Sequence, residues 1–261
     1  MIPQLLESAR KIVVKFGSST LTREDGHIDY EFMAEFAAEC AKFSARGKQF
    51  VIVSSGAQAA GLSTMNKWAR KKDIHYRQAL CAVGQVELMN AWRHSFEPCG
   101  RQIAQILLTR DDFGDQIRTL NMRNTLFTLL DEGIIPIINE NDTVYVEEIK
   151  IGDNDTLAAQ SAVLWGAELL ILFSDIDGVY SENPQINKNA AFIHRFDNPG
   201  QALSVGMEGT SALGTGGIET KINAAKLCFG YGIPSIITRG KPAALLALAE
   251  GRQRGTVFAS P

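Results

Sequence analysis

Residues 11–19 read KIVVKFGSS, an apolar β-branched run carrying Lys15 near its end and closed by Gly17, Ser18 and Ser19. A Val/Ile run of this length that meets a glycine reads as a strand buried on both faces. The signature recurs at Gln49–Val53, Arg101–Leu108, Ile134–Ile138, Glu168–Phe173 and Ile233–Thr238. Between these runs lie Tyr30–Ala45, Tyr76–Phe96, Met122–Leu130, Thr156–Trp165 and Glu219–Phe229, most with apolar residues at helical steps of three and four. Strand alternating with helix predicts parallel pairing through crossovers, and so an α/β fold. One stretch departs from this rhythm. Asp142–Ile151, DTVYVEEIKI, alternates apolar and polar residues and reads as a short hairpin over the sheet edge, a candidate loop or lid. Without a repeat or a linker, the chain reads as two lobes of one sheet that meet near Gly166.

With 261 residues, 45% of them hydrophobic, the chain can bury a substantial core. A net charge of −3 and scattered Lys and Arg argue against a duplex nucleic-acid partner. Cys40, Cys81, Cys99 and Cys228 form no CxxC pair and read as reduced, mostly buried thiols. The N-terminus lacks the apolar core of a secretory signal, and no uncharged apolar stretch approaches the ~20 residues that span a bilayer. A cytoplasmic, membrane-free protein is the expectation.

Candidate chemistry gathers at the predicted strand ends, where ligands of open α/β sheets bind. Lys15 stands beside the small-residue turn at Gly17, whose backbone N–H groups can face an anion. A lysine reaching solvent beside an ordinary turn is the plainer alternative. VIVSSGAQAAGL ends in the same way at Ser54, Ser55 and Gly56, either as anion donors or as simple helix caps. LGTGGIETK sets Gly214, Gly216 and Gly217 before a helix that carries Lys221. It is neither a Walker A loop nor a dinucleotide fingerprint, yet it has the physics of a phosphate cradle. A flexible loop accounts for it equally.

INENDTV and IGDNDTL cluster Asn139, Asn141, Asp142, Asp153, Asn154 and Asp155. Amides donate and accept while carboxylates accept, so this set can hold the ammonium and carboxylate of an amino acid together. Capping explains Asp153 or Asp155 but not all six, and an acidic group here could also steer Mg²⁺ or orient the lysines. LLILFSDIDGVY places Ser174, Asp175 and Asp177 where a nucleotide could sit, or where a plain Asp-Gly turn would. His27, His75, His94 and His194 share no motif, so histidine-based and zinc chemistry lack support.

In this order, VVKFGSS, VIVSSGA, LLTRDD, IPIINENDTV, IGDNDTL, FSDIDGVY and GTGGIETK resemble the glutamate 5-kinases of the amino acid kinase family, from about Lys11 to Arg239. The resemblance implies a three-layer αβα sandwich with a mainly parallel sheet of about eight strands. It also implies one domain over 1–261, with an acceptor-binding lobe at 1–166 and a nucleotide-binding lobe at 167–261. By similarity, Lys15 and Lys221 bind the transferring phosphoryl group and Asp155 organises them. Ser55, Asp142 and Asn154 match acceptor-binding positions, helped by Asn139 and Asp153. Lys15, Gly17, Ser174, Asp175 and the loop Thr215, Gly216, Gly217, Ile218, Glu219, Thr220 and Lys221 match the ATP site, with no dedicated metal ligands.

The activity so implied is phosphorylation of the γ-carboxylate of L-glutamate with ATP and Mg²⁺, the entry step to proline synthesis. Proline is expected as feedback inhibitor, a dimer or tetramer as the assembly and a glutamyl phosphate reductase as partner. Many relatives continue into a PUA domain of RNA-binding type, whereas this sequence stops at Pro261, so a short form without that domain and without an RNA partner is the expectation. Two rivals stand beside this reading. One is an amino acid kinase acting on N-acetylglutamate, aspartate, carbamate or UMP, and the other is a nucleotide-sensing protein of the same fold without turnover.

Overall fold

The computed structural model describes residues 1–65, 73–144, 154–184, 186–200 and 217–260. Strands β1 (Lys11–Phe16), β2 (Gln49–Ser54), β3 (Ile103–Leu108), β4 (Ile135–Glu140), β5 (Leu169–Ser174) and β9 (Ser235–Arg239) are the six predicted apolar runs. They pair in parallel in the order β3-β4-β2-β1-β5-β9. β10 (Thr256–Phe258) adds antiparallel to β9, and β8 (Arg195–Phe196) closes the eight-stranded sheet. These last two strands have three and two residues, too short to leave a period in the sequence. A separate two-stranded ribbon joins β6 (Val179–Tyr180) to β7 (Phe192–Ile193).

Alternate residues of each strand point to opposite faces, so the sheet has two cores. One face carries Ile12, Val14 and Phe16 against α1 (Ile2–Ser8), α3 (Tyr30–Ser44) and α5 (Ile74–Phe96). Phe16 stacks on Phe173 at 5.2 Å and meets Phe36 edge-on at 4.6 Å. The other face carries Val13, Val53 and Leu172 against α6 (Gln116–Asp131), α7 (Asn154–Trp165) and α8 (Ile218–Gly230). Lys15 pairs in register with Val53 and Leu172, and so it emerges on this second face. Helices therefore cover both faces, as the three-layer expectation requires.

Some boundaries differ from the sequence reading. α6 starts at Gln116 rather than Met122 because Asp115 caps it, accepting from the N–H groups of Ile117 and Arg118 at 2.9 Å. Its first turns expose Ile117 and Leu120, which hides the amphipathic period there. β3 begins at Ile103, two residues inside the predicted run. The hairpin expected over Asp142–Ile151 falls largely outside the described residues.

Helix α4 (Ala57–Met65) and α5 meet through glycine. A Cβ at Gly84 would lie 1.8 Å from Ala57 O, and one at Gly61 would lie 2.0 Å from Leu80 O. Both obstacles are backbone, which cannot swing aside as a side chain can. Gly84→Ala is thus expected to destabilise by about 3 kcal/mol, the upper range for overpacking, read as a lower denaturant midpoint. An unchanged midpoint would show that the helices can separate without cost.

Candidate active site

Strand order reverses around β1: the chain leaves β1 toward β2, and leaves β5 toward β9 on the opposite side. Loops at the carboxyl ends of β1 and β5 diverge there and leave a crevice. Lys15 and Gly17 mark the end of β1, and Ser174 and Asp175 mark the end of β5. Gly56, just beyond β2, has φ +109°, a conformation that glycine reaches without strain and that turns the chain into α4.

Asp155 lies in the first turn of α7 and is fully buried. Its Oδ1 is 2.7 Å from Lys15 Nζ and its Oδ2 is 3.1 Å from Lys221 Nζ. Thr220, in the first turn of α8, has one hydroxyl hydrogen to share between Asp155 Oδ2 at 2.7 Å and Gly217 O at 2.8 Å. Burial alone would raise the Asp155 carboxyl. The charges of Lys15 and Lys221, with the hydrogen bonds from Lys15 and Thr220, outweigh it and hold the group well below the usual carboxylate range. The α7 N-terminus also favours the anion. Two ammonium heads thus converge on one carboxylate in a site shielded from water, where a phosphate could meet both.

Beside this cluster runs a chain of amides. Asn154 Nδ2 donates to Ser55 Oγ at 2.7 Å and to Asn139 Oδ1 at 3.0 Å. Asn139 Nδ2 donates to Gln85 Oε1 at 2.8 Å, and Gln78 Nε2 donates to Asp142 O at 3.1 Å. Burial raises the Asp142 carboxyl to about 6, against the opposing pull of the Cys81 thiol and of Arg77. Trp92 Nε1 donates to Ser54 Oγ at 2.9 Å and so anchors α5 to the end of β2.

The structure thus brings Lys15, Asp155, Thr220 and Lys221 into one cluster, and Ser55, Asn139 and Asn154 into its neighbour. Ser174 Oγ donates to Asp175 Oδ1 at 2.9 Å at the end of β5. Gly217, Ile218 and Glu219 open α8, with Glu219 exposed. Asp153, Thr215 and Gly216 lie outside the described residues. Near Ser174, whose register partner is Arg239, a cavity of about 450 Å³ is lined by Asp177, Arg239, Lys241 and Arg254. The sequence reading missed Gln78 and Gln85, which sit inside a helix without a motif. Their seven-residue spacing, two helical turns, puts both on one face of α5, and a polar pair on one stripe was the available signal.

No helix among the described residues is long and apolar enough to cross a membrane. The backbone is similar to UMP kinase from Ureaplasma parvum, with a TM-score of 0.68 at 17% identity, covering 96% of this chain and 99% of that one. It is also similar to an isopentenyl phosphate kinase, with a TM-score of 0.63 at 19% identity, covering 95% and 99%. At such identities the likeness speaks for the fold alone. The model of the amino acid kinase family matches residues 10–239. Proteins named glutamate 5-kinase are 55% identical in Alkaliphilus metalliredigens, over 99% of this chain and 98% of the relative, and 51% identical in Alkaliphilus oremlandii, over 99% of each. A glutamate 5-kinase of Geobacter sulfurreducens is 44% identical over 97% of this chain and 69% of its own length. Fold, site and similarity along the whole chain agree: it belongs to the amino acid kinase family and, within that family, to the glutamate 5-kinases.

Proposed function

We propose that this chain transfers the γ-phosphoryl group of ATP to the γ-carboxylate of L-glutamate, giving ADP and L-glutamyl 5-phosphate, the first step of proline synthesis. The observation that carries the reading is the adjacency of Lys15–Asp155–Lys221 to Ser55, Asn154 and Asn139 at the carboxyl ends of the central strands, in a chain 55% identical to a named glutamate 5-kinase.

A γ-carboxylate oxygen attacks the γ-phosphorus, the new O–P bond forms, and the bond to the ADP oxygen breaks. No proton moves, because a glutamate side chain with a reference pKa near ~4.3 is already ionised at neutral pH. Catalysis then reduces to alignment and charge neutralisation. Lys15 and Lys221 neutralise the charge spreading over the phosphoryl oxygens, and Asp155 holds both ammonium groups in place. Ser55, Asn139, Asn154 and Asp142 hold glutamate, while Gly17, Ser174, Asp175 and residues 215–221 hold ATP. Among the described residues no three His, Cys, Asp or Glu side chains converge as metal ligands. Both Asp155 oxygens are occupied by protein donors, so Mg²⁺ fits here as part of the metal–nucleotide substrate, held by phosphate and water.

The test is ADP release from Mg-ATP with and without L-glutamate, trapping the acyl phosphate as its hydroxamate. Glutamate-dependent hydroxamate is expected. Activity only with N-acetylglutamate or aspartate would move the acceptor, and silence with every acceptor would leave a non-catalytic nucleotide binder. Excess proline is expected to suppress the signal by competing near Asp142, and an unchanged rate would remove that role.

Asp142 gives a pH signature. Its folded-state pKa lies above the unfolded value, so its contribution to stability is present below about pH 4 and lost as the pH rises through about 6. At neutral pH the ionised group burdens the fold, and Asp142→Asn is expected to stabilise by on the order of 1–3 kcal/mol. The same variant loses the anion that would meet the glutamate ammonium. Its KM for glutamate should rise, and the native KM should rise as the pH falls below about 6. Denaturation at neutral pH and a KM–pH profile check both, and a flat profile would exclude Asp142 from the ammonium contact.

A further inference from the structure

The acceptor cleft contains a chain of side-chain amides whose polarity is set by the backbone. The N–H of Glu140 donates to Asn139 Oδ1 at 2.9 Å, and a backbone N–H can only donate. Asn139 is thereby oriented, and its Nδ2 is the group that donates to Gln85 Oε1. Gln85 is oriented in turn, leaving Nε2 as its free end. Asn154 spends both Nδ2 hydrogens on Ser55 Oγ and Asn139 Oδ1, leaving Oδ1 as its free end.

Both free ends are buried, and neither has a hydrogen-bond partner among the described residues. Gln85 is 9% exposed and Asn154 1%. Buried polar atoms are nearly always paired, so two orphans on one short chain of amides point to a ligand that completes them. One orphan is a donor and the other an acceptor. Each is linked to the same Asn139 side chain, so a matching ligand presents a hydrogen-bond acceptor and a hydrogen-bond donor. The α-carboxylate and α-ammonium of an amino acid, borne on one carbon, have this form.

We infer that Gln85 Nε2 donates to the α-carboxylate of bound glutamate while Asn154 Oδ1 accepts from its ammonium, making Gln85 a specificity-determining residue of the acceptor site. The inference rests on the function proposed above and adds to it a contact from α5, outside every motif of the sequence. It also fits the direction of the substrate. With its α-end held by the amides, glutamate can extend its γ-carboxylate toward Asp155, the residue next to Asn154, and the two lysines there.

The decisive variant is Gln85→Glu, which keeps an oxygen for Asn139 Nδ2 and turns the donor end into an acceptor. At mildly alkaline pH its KM for glutamate is expected to rise at least about tenfold, with kcat and the KM for Mg-ATP within about twofold of native. Its preference should shift toward the α-amide of glutamate, whose NH₂ can donate where the carboxylate cannot. Gln85→Met, lacking both ends, should show the KM rise without the shift, and serves if the first variant folds poorly. An unchanged KM and preference in a folded variant would overturn the inference. So would parallel losses in kcat and the KM for Mg-ATP, which would mark a role in packing alone. Native enzyme without glutamate-dependent ADP release would instead sink the proposed function, so the two failures are distinguishable.

Discussion

Replacing Lys15 by Met is expected to lower turnover by about a thousandfold while leaving the fold intact. Lys15 is buried, its ammonium is 2.7 Å from Asp155 Oδ1, and it rises from the strand at the centre of the switch point. Removing one preorganised charge from a water-excluded transfer site costs on the order of 10²–10³ in rate, and cationic groups on transferring phosphoryls reach more. Stability should scarcely change. The variant keeps the ion pair of Asp155 with Lys221, still supported by Thr220. An unbranched Met side chain also fills much of the space of the lysine stem. ADP release and a thermal melt on the same sample check both halves. Normal turnover in a well-folded variant would end the assignment of Lys15 to the phosphoryl group.

Asp155→Asn is expected to fail in the opposite way, losing about 3–5 kcal/mol of stability together with activity. An amide fills the same volume, but it removes the carboxylate charge that both buried lysines, Lys15 and Lys221, meet. The pH dependence has a definite sign. The folded-state pKa of Asp155 is depressed, so its contribution is present above the ordinary carboxylate range and lost as the pH falls through the folded value. The gap between native and variant stability should therefore persist through neutral pH and close only in strong acid. Adding Lys15→Met to Asp155→Asn removes one of the two buried cations that the lost carboxylate served, so the double variant should be more stable than Asp155→Asn alone. Denaturant melts of the four proteins measure this coupling. Additive losses would show that the lysines do not share the carboxylate.

Six of the sheet's eight strands were legible because each is a buried apolar run, and burial on both faces imposes a composition that needs no distant partner to be recognised. β8 and β10 were not, since two or three residues joined to a finished sheet depend on the edge they meet. The start of α6 was hidden for a related reason, because capping by Asp115 rather than an apolar stripe sets it. At the site, Lys15, Ser55, Asn154, Asp155 and Lys221 were singled out because small or charged residues at the ends of apolar runs are locally conspicuous. Gln85 left only the faint signal of a polar stripe shared with Gln78, as a glutamine within a long helix looks like any solvated position.

The sequence by itself determined the α/β alternation, the two-faced strands and the family, because these depend on local periodicity and on residue types in fixed order. Resemblance in the sequence already named Asp155 beside the lysines, and tertiary structure alone supplied the contacts. The two oxygens of Asp155 meet Lys15 and, 66 positions away in sequence, Lys221. Tertiary structure also decided which ends of the buried amides stay free, since their polarity is inherited from the Glu140 N–H. The physical reason is the same in both cases: desolvation and hydrogen-bond saturation are properties of a packed neighbourhood, assembled from segments that the chain order keeps apart.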